Sequence, residues 1–257
     1  MAPPRFELYE RIGWRWRLVD VNGRVLASGF RYASKANAKR AAQKAKDAAA
    51  VAAIVDALPD VDVTAVAGGA FGVSVDITIG GMGNIKFPPT PSVSLPAGGG
   101  SPNKTAPRAK AGPGGLFVTS GLLQAGCTGE VGPSGSSTST AAVADVDLLG
   151  ETLTATSVSS TCAANETGAT GSTTLAGGML VLGESQIVTL PSTPAPNTTY
   201  EGTNADTGDT FTVILNEQVA GAGGITVHAV HVVLNGPTAT GDIIVASTQA
   251  GVTAAAS

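Results

Sequence analysis

The sequence is poor in the residue types from which most catalytic and metal sites are built. Among 257 residues there are two cysteines and two histidines, and 13% of the residues are charged. Zinc sites draw mainly on Cys and His, and histidine is the commonest acid–base group in enzymes. No serine stands in a nucleophile-elbow context, and no Gly-Lys-Ser/Thr phosphate loop is present. We therefore expect no enzymatic activity and no cofactor.

Long apolar runs are also lacking. No stretch of 18 or more apolar residues occurs, so we expect no membrane span. The first residues, Met-Ala-Pro-Pro-Arg-Phe-Glu-Leu, contain no apolar core of a signal peptide, which predicts synthesis in the cytoplasm. Disorder is not expected either, because 43% of the residues are hydrophobic.

Charge is divided unevenly along the chain. Residues 1–60 contain 11 Lys and Arg against 6 Asp and Glu, whereas residues 61–257 contain 4 against 13. The net charge is therefore +5 in the first part and -9 in the second. This change predicts a domain boundary near residue 60. The predicted parts are an N-terminal unit (1–58), a linker (59–69), a larger domain (70–252) and a tail (253–257).

The N-terminal unit has the pattern β-β-β-α. Short alternating segments surround Asn22-Gly23, a pair that favours a hairpin turn because both positions tolerate positive φ. Ser34 is a suitable helix N-cap, and an Ala- and Lys-rich run follows it to about Ala57. We therefore predict a small α+β unit.

The larger domain alternates apolar and polar residues over short stretches, as strands with one buried face do. The segment 142–162 predicts two strands that meet at a turn near Gly150. Its core candidates are Val143, Leu148, Leu153 and Val158. In the segment 71–79 one face is predicted to contain Phe71, Val73, Val75, Ile77 and Ile79. We expect an all-β domain with a sandwich or barrel-like fold; a β-helix is the alternative.

Basic and aromatic residues of the N-terminal unit form a candidate attachment or partner surface. Its members are Trp14, Arg15, Trp16, Arg17, Lys35, Lys39 and Arg40. Arginines next to tryptophans can bind nucleic acid, with the rings stacking on bases. Alternating Arg on a strand is more often simply the solvated face, and the rest of the chain is acidic. We therefore do not expect nucleic-acid binding.

Candidate metal ligands are few. Asp145 and Asp147 share a strand face and are weak candidates for calcium, but they match no dedicated calcium loop. His228 and His231 are three residues apart on a predicted strand, which places them on opposite faces. We therefore predict no metal site.

Several short blocks of the N-terminal unit follow one another in a recognisable order and spacing. They are Phe6-Glu7-Leu8-Tyr9, Trp16-Arg17-Leu18, Asn22-Gly23-Arg24-Val25-Leu26-Ala27 and Tyr32-Ala33-Ser34-Lys35-Ala36-Asn37-Ala38-Lys39-Arg40. Through these blocks residues 5–57 resemble the YegP-like family, small domains of otherwise unknown function. That family often carries two such units side by side, and this chain contains one, which implies an open strand edge. We expect the unit to pair with another copy or with a neighbouring subunit.

The larger domain also contains a series of short blocks in a recognisable order. The main ones are Ala70-Phe71-Gly72-Val73-Ser74-Val75, Pro88-Pro89-Thr90-Pro91-Ser92-Val93-Ser94-Leu95-Pro96, Ala144-Asp145-Val146-Asp147-Leu148-Leu149-Gly150, Ser159-Ser160-Thr161-Cys162 and Gly224-Ile225-Thr226-Val227-His228-Ala229-Val230-His231-Val232. Through these blocks residues 70–252 resemble the choice-of-anchor P family of actinobacterial surface-type proteins. Members of that family usually have a signal peptide and a variable C-terminal anchor, and this sequence displays neither.

Domains of this surface type work outside cells, where disulfides persist. The resemblance therefore implies a disulfide between Cys127 and Cys162; two unrelated buried thiols are the alternative.

The sequence is compatible with three functions. The first is a structural protein of a virion, as a capsid decoration or tail protein of a bacteriophage. Its partners would be a protein lattice, a homo-oligomer, or a major capsid or tail protein. The second is a secreted or cell-envelope surface protein. The third is a carbohydrate-binding module. We favour the first, with the N-terminal unit attaching and the β domain projecting.

Overall fold

A computed structural model describes residues 3–11, 13–29, 31–50, 62–183, 186–204 and 208–255. The chain divides into two compact units, Met1–Pro59 (unit 1) and Asp60–Ser257 (unit 2). Among the described residues, no helix has the length and apolar character needed to cross a membrane.

Unit 1 is a three-stranded antiparallel sheet with one helix, as predicted. Its elements are β1 (Arg5–Glu10), β2 (Trp14–Val19), β3 (Val25–Ser28) and α1 (Lys35–Ala49). The sheet order is β1-β2-β3, and α1 packs against β1 and β2. Ser34 is the N-cap of α1, because its Oγ accepts a hydrogen bond from the Asn37 N–H at 3.3 Å. The predicted continuation of the helix to about residue 57 falls on residues 51–61, which lie outside the described ranges.

Unit 2 contains two antiparallel sheets. Its strands are β4 (Asp62–Ile79), β5 (Gly83–Ser94), β6 (Asn103–Ala106), β7 (Lys110–Ala111), β8 (Val118–Thr119), β9 (Leu123–Glu130), β10 (Gly132–Pro133), β11 (Ser136–Leu148), β12 (Leu153–Asn165), β13 (Gly168–Ala176), β14 (Met179–Val181), β15 (Ile187–Thr189), β16 (Thr198–Thr203), β17 (Thr210–Gly221), β18 (Gly224–Asn235) and β19 (Ala239–Ala254). A 3-10 helix, Pro113–Gly115, lies between β7 and β8. Strand β4 begins inside the predicted linker, and β19 ends inside the predicted tail.

The seven-stranded sheet has the order β10-β4-β19-β18-β17-β16, and β5 also pairs with β4. In the nine-stranded sheet the order is β15-β14-β12-β11-β8-β7; β13 pairs with β12, and β9 pairs with β11 and β6. The two sheets bury their apolar faces against each other in one large core, and Cys162, Ala164, Val227 and Ala250 form a smaller buried cluster. The predicted all-β domain is confirmed, and its two facing sheets form a β-sandwich. The β-helix alternative is wrong, because every described strand pair is antiparallel.

A bend crosses the seven-stranded sheet at one level. The ladder leaves Gly72, Ala229 and Ala246 unpaired there, as well as Asn216, although the register is the same on both sides. Asn216 and Ala246 both have a φ of 51°. At this level Ala229 and its neighbour Val230 are both buried, so the alternation of inward and outward side chains changes phase. Phe71 was predicted on the buried face with Val73, but it is only half-buried because it precedes this change.

Buried serine hydroxyls connect the two sheets. Ser137, Ser139 and Ser160 lie on β11 and β12, and each is almost completely buried. Their Oγ atoms donate to carbonyl oxygens of the opposite sheet, at 2.7 Å to Ala67, 2.6 Å to Gln249 and 2.8 Å to Ala246. A hydroxyl that is bonded in this way can be buried at little cost, because its hydrogen-bonding capacity is used within the core.

Candidate functional site

The predicted attachment residues of unit 1 fall on two faces of its sheet. On one face Arg17 lies beside its cross-strand neighbour Glu7, with Nε 2.8 Å from Oε2, and above the Tyr9 ring. Hydrogen bonding to Arg17, together with the Arg17 and Arg5 charges, lowers the pKa of the Glu7 carboxyl. Arg15 pairs with Tyr9 in the ladder and therefore shares this face.

The tryptophans lie on the other face. Trp16 is buried, and its ring is 5.5 Å from that of Phe6. Gly29 lies directly against the ring, since a Cβ at this position would be 2.1 Å from Trp16 Nε1. The Trp14 ring is covered by Lys35, whose Nζ is 5.2 Å from its centroid. Neither ring is therefore openly presented for stacking on a base.

The last two members of the predicted set are exposed on α1. Lys39 points to solvent, and Arg40 donates to the Asn37 side chain at 2.5 Å. The seven residues therefore do not form one continuous surface. Two are arginines on one sheet face, two are tryptophans on the other, and three, Lys35, Lys39 and Arg40, belong to α1.

Strand β3 presents an exposed apolar edge that the basic pattern did not indicate. All four of its residues are exposed, and the exposed fractions are 53% for Val25 and 60% for Leu26. Val21, in the turn before β3, is also exposed. Within the described part of unit 1, the outer edge of β3 pairs with no strand.

The predicted disulfide is not formed. Cys127 and Cys162 are both free and buried. The ladder pairs Ser139 with Cys127 on one side and with Cys162 on the other. The cysteines are thus two strand spacings apart, about 9.6 Å, which exceeds the Cα separation of about 7 Å that a disulfide tolerates. Burial raises the pKa of both thiols, that of Cys162 to about 11.

The predicted positions of the histidines were wrong. His228 and His231 lie on the same face, with ring centroids 5.9 Å apart, because the bend at Ala229 changes the phase of β18. His231 lies between two carboxylates, with Nδ1 2.8 Å from Glu217 Oε2 and Nε2 3.0 Å from Asp242 Oδ1. His228 Nδ1 is 2.8 Å from Ser247 Oγ. Burial lowers the pKa of His228, and the charge of Glu217 opposes this shift.

The weak calcium candidates do not converge on a site. Asp147 Oδ1 accepts the Glu151 N–H at 2.7 Å, which is a turn contact. Asp145 has a φ of 47° on the exposed side of β11. Among the residues that the structure describes, no three His, Cys, Asp or Glu side chains are grouped so that they could hold a metal ion.

A cleft of about 510 Å³ opens at one end of unit 2, and sequence reasoning gave no sign of it. Its walls are mainly apolar, and its rim includes Met82 and Leu116, which are 72% and 51% exposed. The apolar lining is Ile79, Met82, Leu116, Phe117, Leu149, Val181, Phe211, Leu234 and Ala239. The polar lining is Thr152, Thr203, Asn204, Asp209, Thr210 and Thr238.

Hydrogen bonds within the protein engage much of this polar lining. Thr152 Oγ1 donates to the Leu149 carbonyl at 2.8 Å, and Thr210 Oγ1 donates to the Asn235 carbonyl at 2.7 Å. Asp209 caps the turn between β18 and β19, where it accepts from the Thr238 hydroxyl and, at 2.8 Å, from the Thr238 N–H. The cleft can therefore offer a ligand apolar contact but few unused hydrogen-bonding groups.

Comparison with known proteins agrees with the prediction for unit 1 alone. Residues 13–56 match a family described as a domain of unknown function (DUF1508), which is the YegP-like domain. The resemblance of residues 70–252 to choice-of-anchor P proteins has no support from these comparisons. No curated protein and no solved structure matches the chain. Similarity therefore identifies the kind of domain in unit 1 and assigns it no activity.

Proposed function

We propose that this protein is a non-enzymatic structural component of a larger assembly, in which unit 1 attaches and unit 2 projects. The observation that carries the proposal is the β3 edge, which is apolar, exposed and without a strand partner in the described part of unit 1. Soluble proteins usually protect sheet edges with charge, proline or a covering segment. Exposed Val25 and Leu26 provide none of these protections.

A partner strand would make two kinds of contact with the β3 edge. It would complete the hydrogen-bond ladder of β3, and it would cover Val25 and Leu26. Full burial of such a side chain contributes about 1.5–3 kcal/mol. We therefore propose a protein partner, either a lattice subunit such as a major capsid or tail protein, or another copy of this chain.

The assembly that we propose is a virion, with this protein as a capsid decoration or tail component. The charge division supports separate roles for the two units, since the attaching part is basic and the projecting part is acidic. The resemblance of unit 2 to choice-of-anchor P proteins, which remains a hypothesis, favours a surface position. A secreted or cell-envelope protein is the alternative, and it would use the same β3 edge.

We do not propose carbohydrate binding. Sugar sites commonly present exposed aromatic rings, and both tryptophans of the chain are in unit 1. The aromatic residues that line the unit 2 cleft, Phe117 and Phe211, are buried.

The proposal is tested with a charge placed on the β3 edge. Leu26→Lys should abolish attachment of the full-length protein to purified particles, because a partner strand would have to bury the ammonium group. Leu122→Lys is the matched control, since Leu122 is an exposed leucine of unit 2. Co-sedimentation with the particles measures attachment. Equal co-sedimentation of L26K and the unsubstituted protein would contradict the proposal.

A further inference from the structure

Several hairpin turns meet around the cleft of unit 2. The lining includes Met82 from the β4–β5 turn, Leu149 from the β11–β12 turn and Gly183 from the β14–β15 turn. Asp209 comes from the β16–β17 connection and Thr238 from the β18–β19 turn. Loops gathered at one end of a sandwich are a frequent place for ligand binding, because the sheets hold them in position.

This end of unit 2 is remote from the ends of its chain. Strand β4 runs from Asp62 to Ile79, which lines the cleft, over 18 residues or about 55 Å. At the other end of β4, Val63 pairs with Ala254 near the end of β19. The first and last strands of unit 2 therefore have their outer ends together at one end of the sandwich, and the cleft lies at the opposite end.

The walls of the cleft determine what kind of ligand fits. Its volume of about 510 Å³ lies in the range of about 300–1,000 Å³ that is typical of small-molecule sites. Other clefts of similar volume in unit 2 are lined by glycine and polar residues, for example Gly98, Ser101 and Thr128. The cleft at the end of the sandwich differs because its lining is mainly apolar and includes the exposed side chains of Met82 and Leu116.

Charge narrows the ligand class further. Asp209 is the one charged residue in the described lining, and residues 61–257 have a net charge of -9. An anionic ligand, such as a fatty acid, would meet unfavourable charge in these surroundings. With Thr152, Thr210 and Asp209 already hydrogen-bonded to protein groups, a strongly polar ligand would lose bonds to water without replacing them.

We propose that this cleft binds a neutral, predominantly apolar small molecule, with an aromatic or alkyl body that enters between Leu116 and Met82. The site goes beyond the structural role proposed above and does not depend on it. It uses unit 2 alone, whereas attachment uses β3 of unit 1.

The experiment uses the full-length protein and Nile red, a neutral apolar dye that becomes fluorescent when it leaves water. We expect saturable binding of one dye per chain. Leu116→Glu should weaken this binding at least tenfold, because it places a second carboxylate in an apolar cleft that already contains Asp209. Leu122→Glu is the matched control, since Leu122 is 48% exposed outside the cleft. It should bind the dye as the unsubstituted protein does.

Three results would overturn the proposal: no saturable dye binding, equal binding by L116E and the unsubstituted protein, or equal loss in L116E and L122E. If L116E lowers the thermal unfolding temperature, Met82→Glu gives the same test at a more exposed position, with Met179→Glu as its control. Laurate should compete with the dye much less well than lauryl alcohol, and equal competition would contradict the neutral ligand class. Leu26→Lys should leave dye binding unchanged, so failure of attachment and failure of the cleft are distinguishable.

Discussion

The two units of this protein complete their sheets in different ways. In unit 2 the sheets cover each other, and the edge strand β5 contains Pro88, Pro89 and Pro91, which cannot donate ladder hydrogen bonds. In unit 1 the edge strand β3 has neither proline nor charge, and its side chains are exposed. The β5 edge of unit 2 is therefore blocked by proline, whereas the β3 edge of unit 1 is open to a partner strand.

The units also differ in the size of their cores. The buried apolar residues in the described part of unit 1 are Trp16, Val19, Ala38 and Ala42. In unit 2 the core extends through both sheets and includes large, fully buried residues such as Ile77, Leu148 and Ile243. Small domains bury a smaller fraction of their surface and are correspondingly less stable. We therefore expect unit 1 to be the less stable of the two units.

The largest expected effect concerns the thiols of unit 2. Cys127 and Cys162 should react with a thiol reagent only when unit 2 opens, because both are buried and burial raises the pKa of each. Opening a stable core costs several kcal/mol, so we expect the native reaction to be at least about a thousandfold slower than the reaction in denaturant. Absorbance with a thiol-specific disulfide reagent should count two thiols per denatured chain. A count of zero reactive thiols in the denatured chain would mean that Cys127 and Cys162 form a disulfide, as the sequence predicted.

The next effect concerns the small core of unit 1. Trp16→Ala should cost about 3–5 kcal/mol, as large aromatic truncations do, and should unfold unit 1. Unit 2 should keep its own unfolding transition by circular dichroism, while the fluorescence of Trp14 reports the loss of unit 1. Leu26→Ala is the control, since that side chain is exposed. If W16A removed both transitions together, the two units would not be independent.

A smaller effect is expected for the serines that connect the sheets of unit 2. Ser139→Ala removes the donor to the Gln249 carbonyl and leaves that oxygen buried without this partner. We expect a loss of about 1–3 kcal/mol in the free energy of unfolding, measured with urea. Ser136→Ala, at an exposed position of the same strand, should be nearly neutral. Equal losses in the two variants would mean that the buried hydroxyl of Ser139 contributes no more stability than an exposed serine hydroxyl, which contradicts this prediction.

The smallest effect is the pH dependence that His228 gives to unit 2. Because burial lowers its folded-state pKa, the unfolded chain binds the proton more readily as the pH falls below about 6.5. Above the pKa that His228 has in the unfolded chain, this histidine does not affect the stability of unit 2. As the pH falls through and below that pKa, protonation of the unfolded chain lowers the free energy of unfolding. His228→Asn should therefore lose less unfolding free energy than the unsubstituted protein between pH 7.5 and 5.5. A steeper loss in the variant would contradict this sign.

Local patterns predicted much of the fold. The turn at Asn22-Gly23 and the N-cap at Ser34 are encoded by a few adjacent residues, and the structure has Gly23 at a φ of 82°. The core candidates Val143, Leu148, Leu153 and Val158 are all buried, because alternation on β11 and β12 is regular where they lie. Such features depend on neighbours in sequence, which a sequence displays directly.

Other features depend on how distant strands align. No local signal indicates that Ser139 lies between Cys127 and Cys162 in the ladder, so the disulfide was predicted from the cysteine count and the resemblance. The histidine prediction was wrong because the bend at Ala229 changes the alternation of side chains along β18. The same bend crosses the neighbouring strands, so the sequence of β18 alone does not reveal it. The cleft is formed by turns that are up to about 150 residues apart, and its apolar lining resembles ordinary core residues in the sequence.

We propose that this protein belongs to an assembly to which unit 1 attaches it, and the native mass of the protein tests this proposal. The protein would be released gently from its natural source and measured by light scattering together with negative-stain microscopy. We expect to find it in particles far larger than one 25.3 kDa chain, with unit 2 visible as a projection. A free monomer with no particle-bound fraction would contradict the proposal.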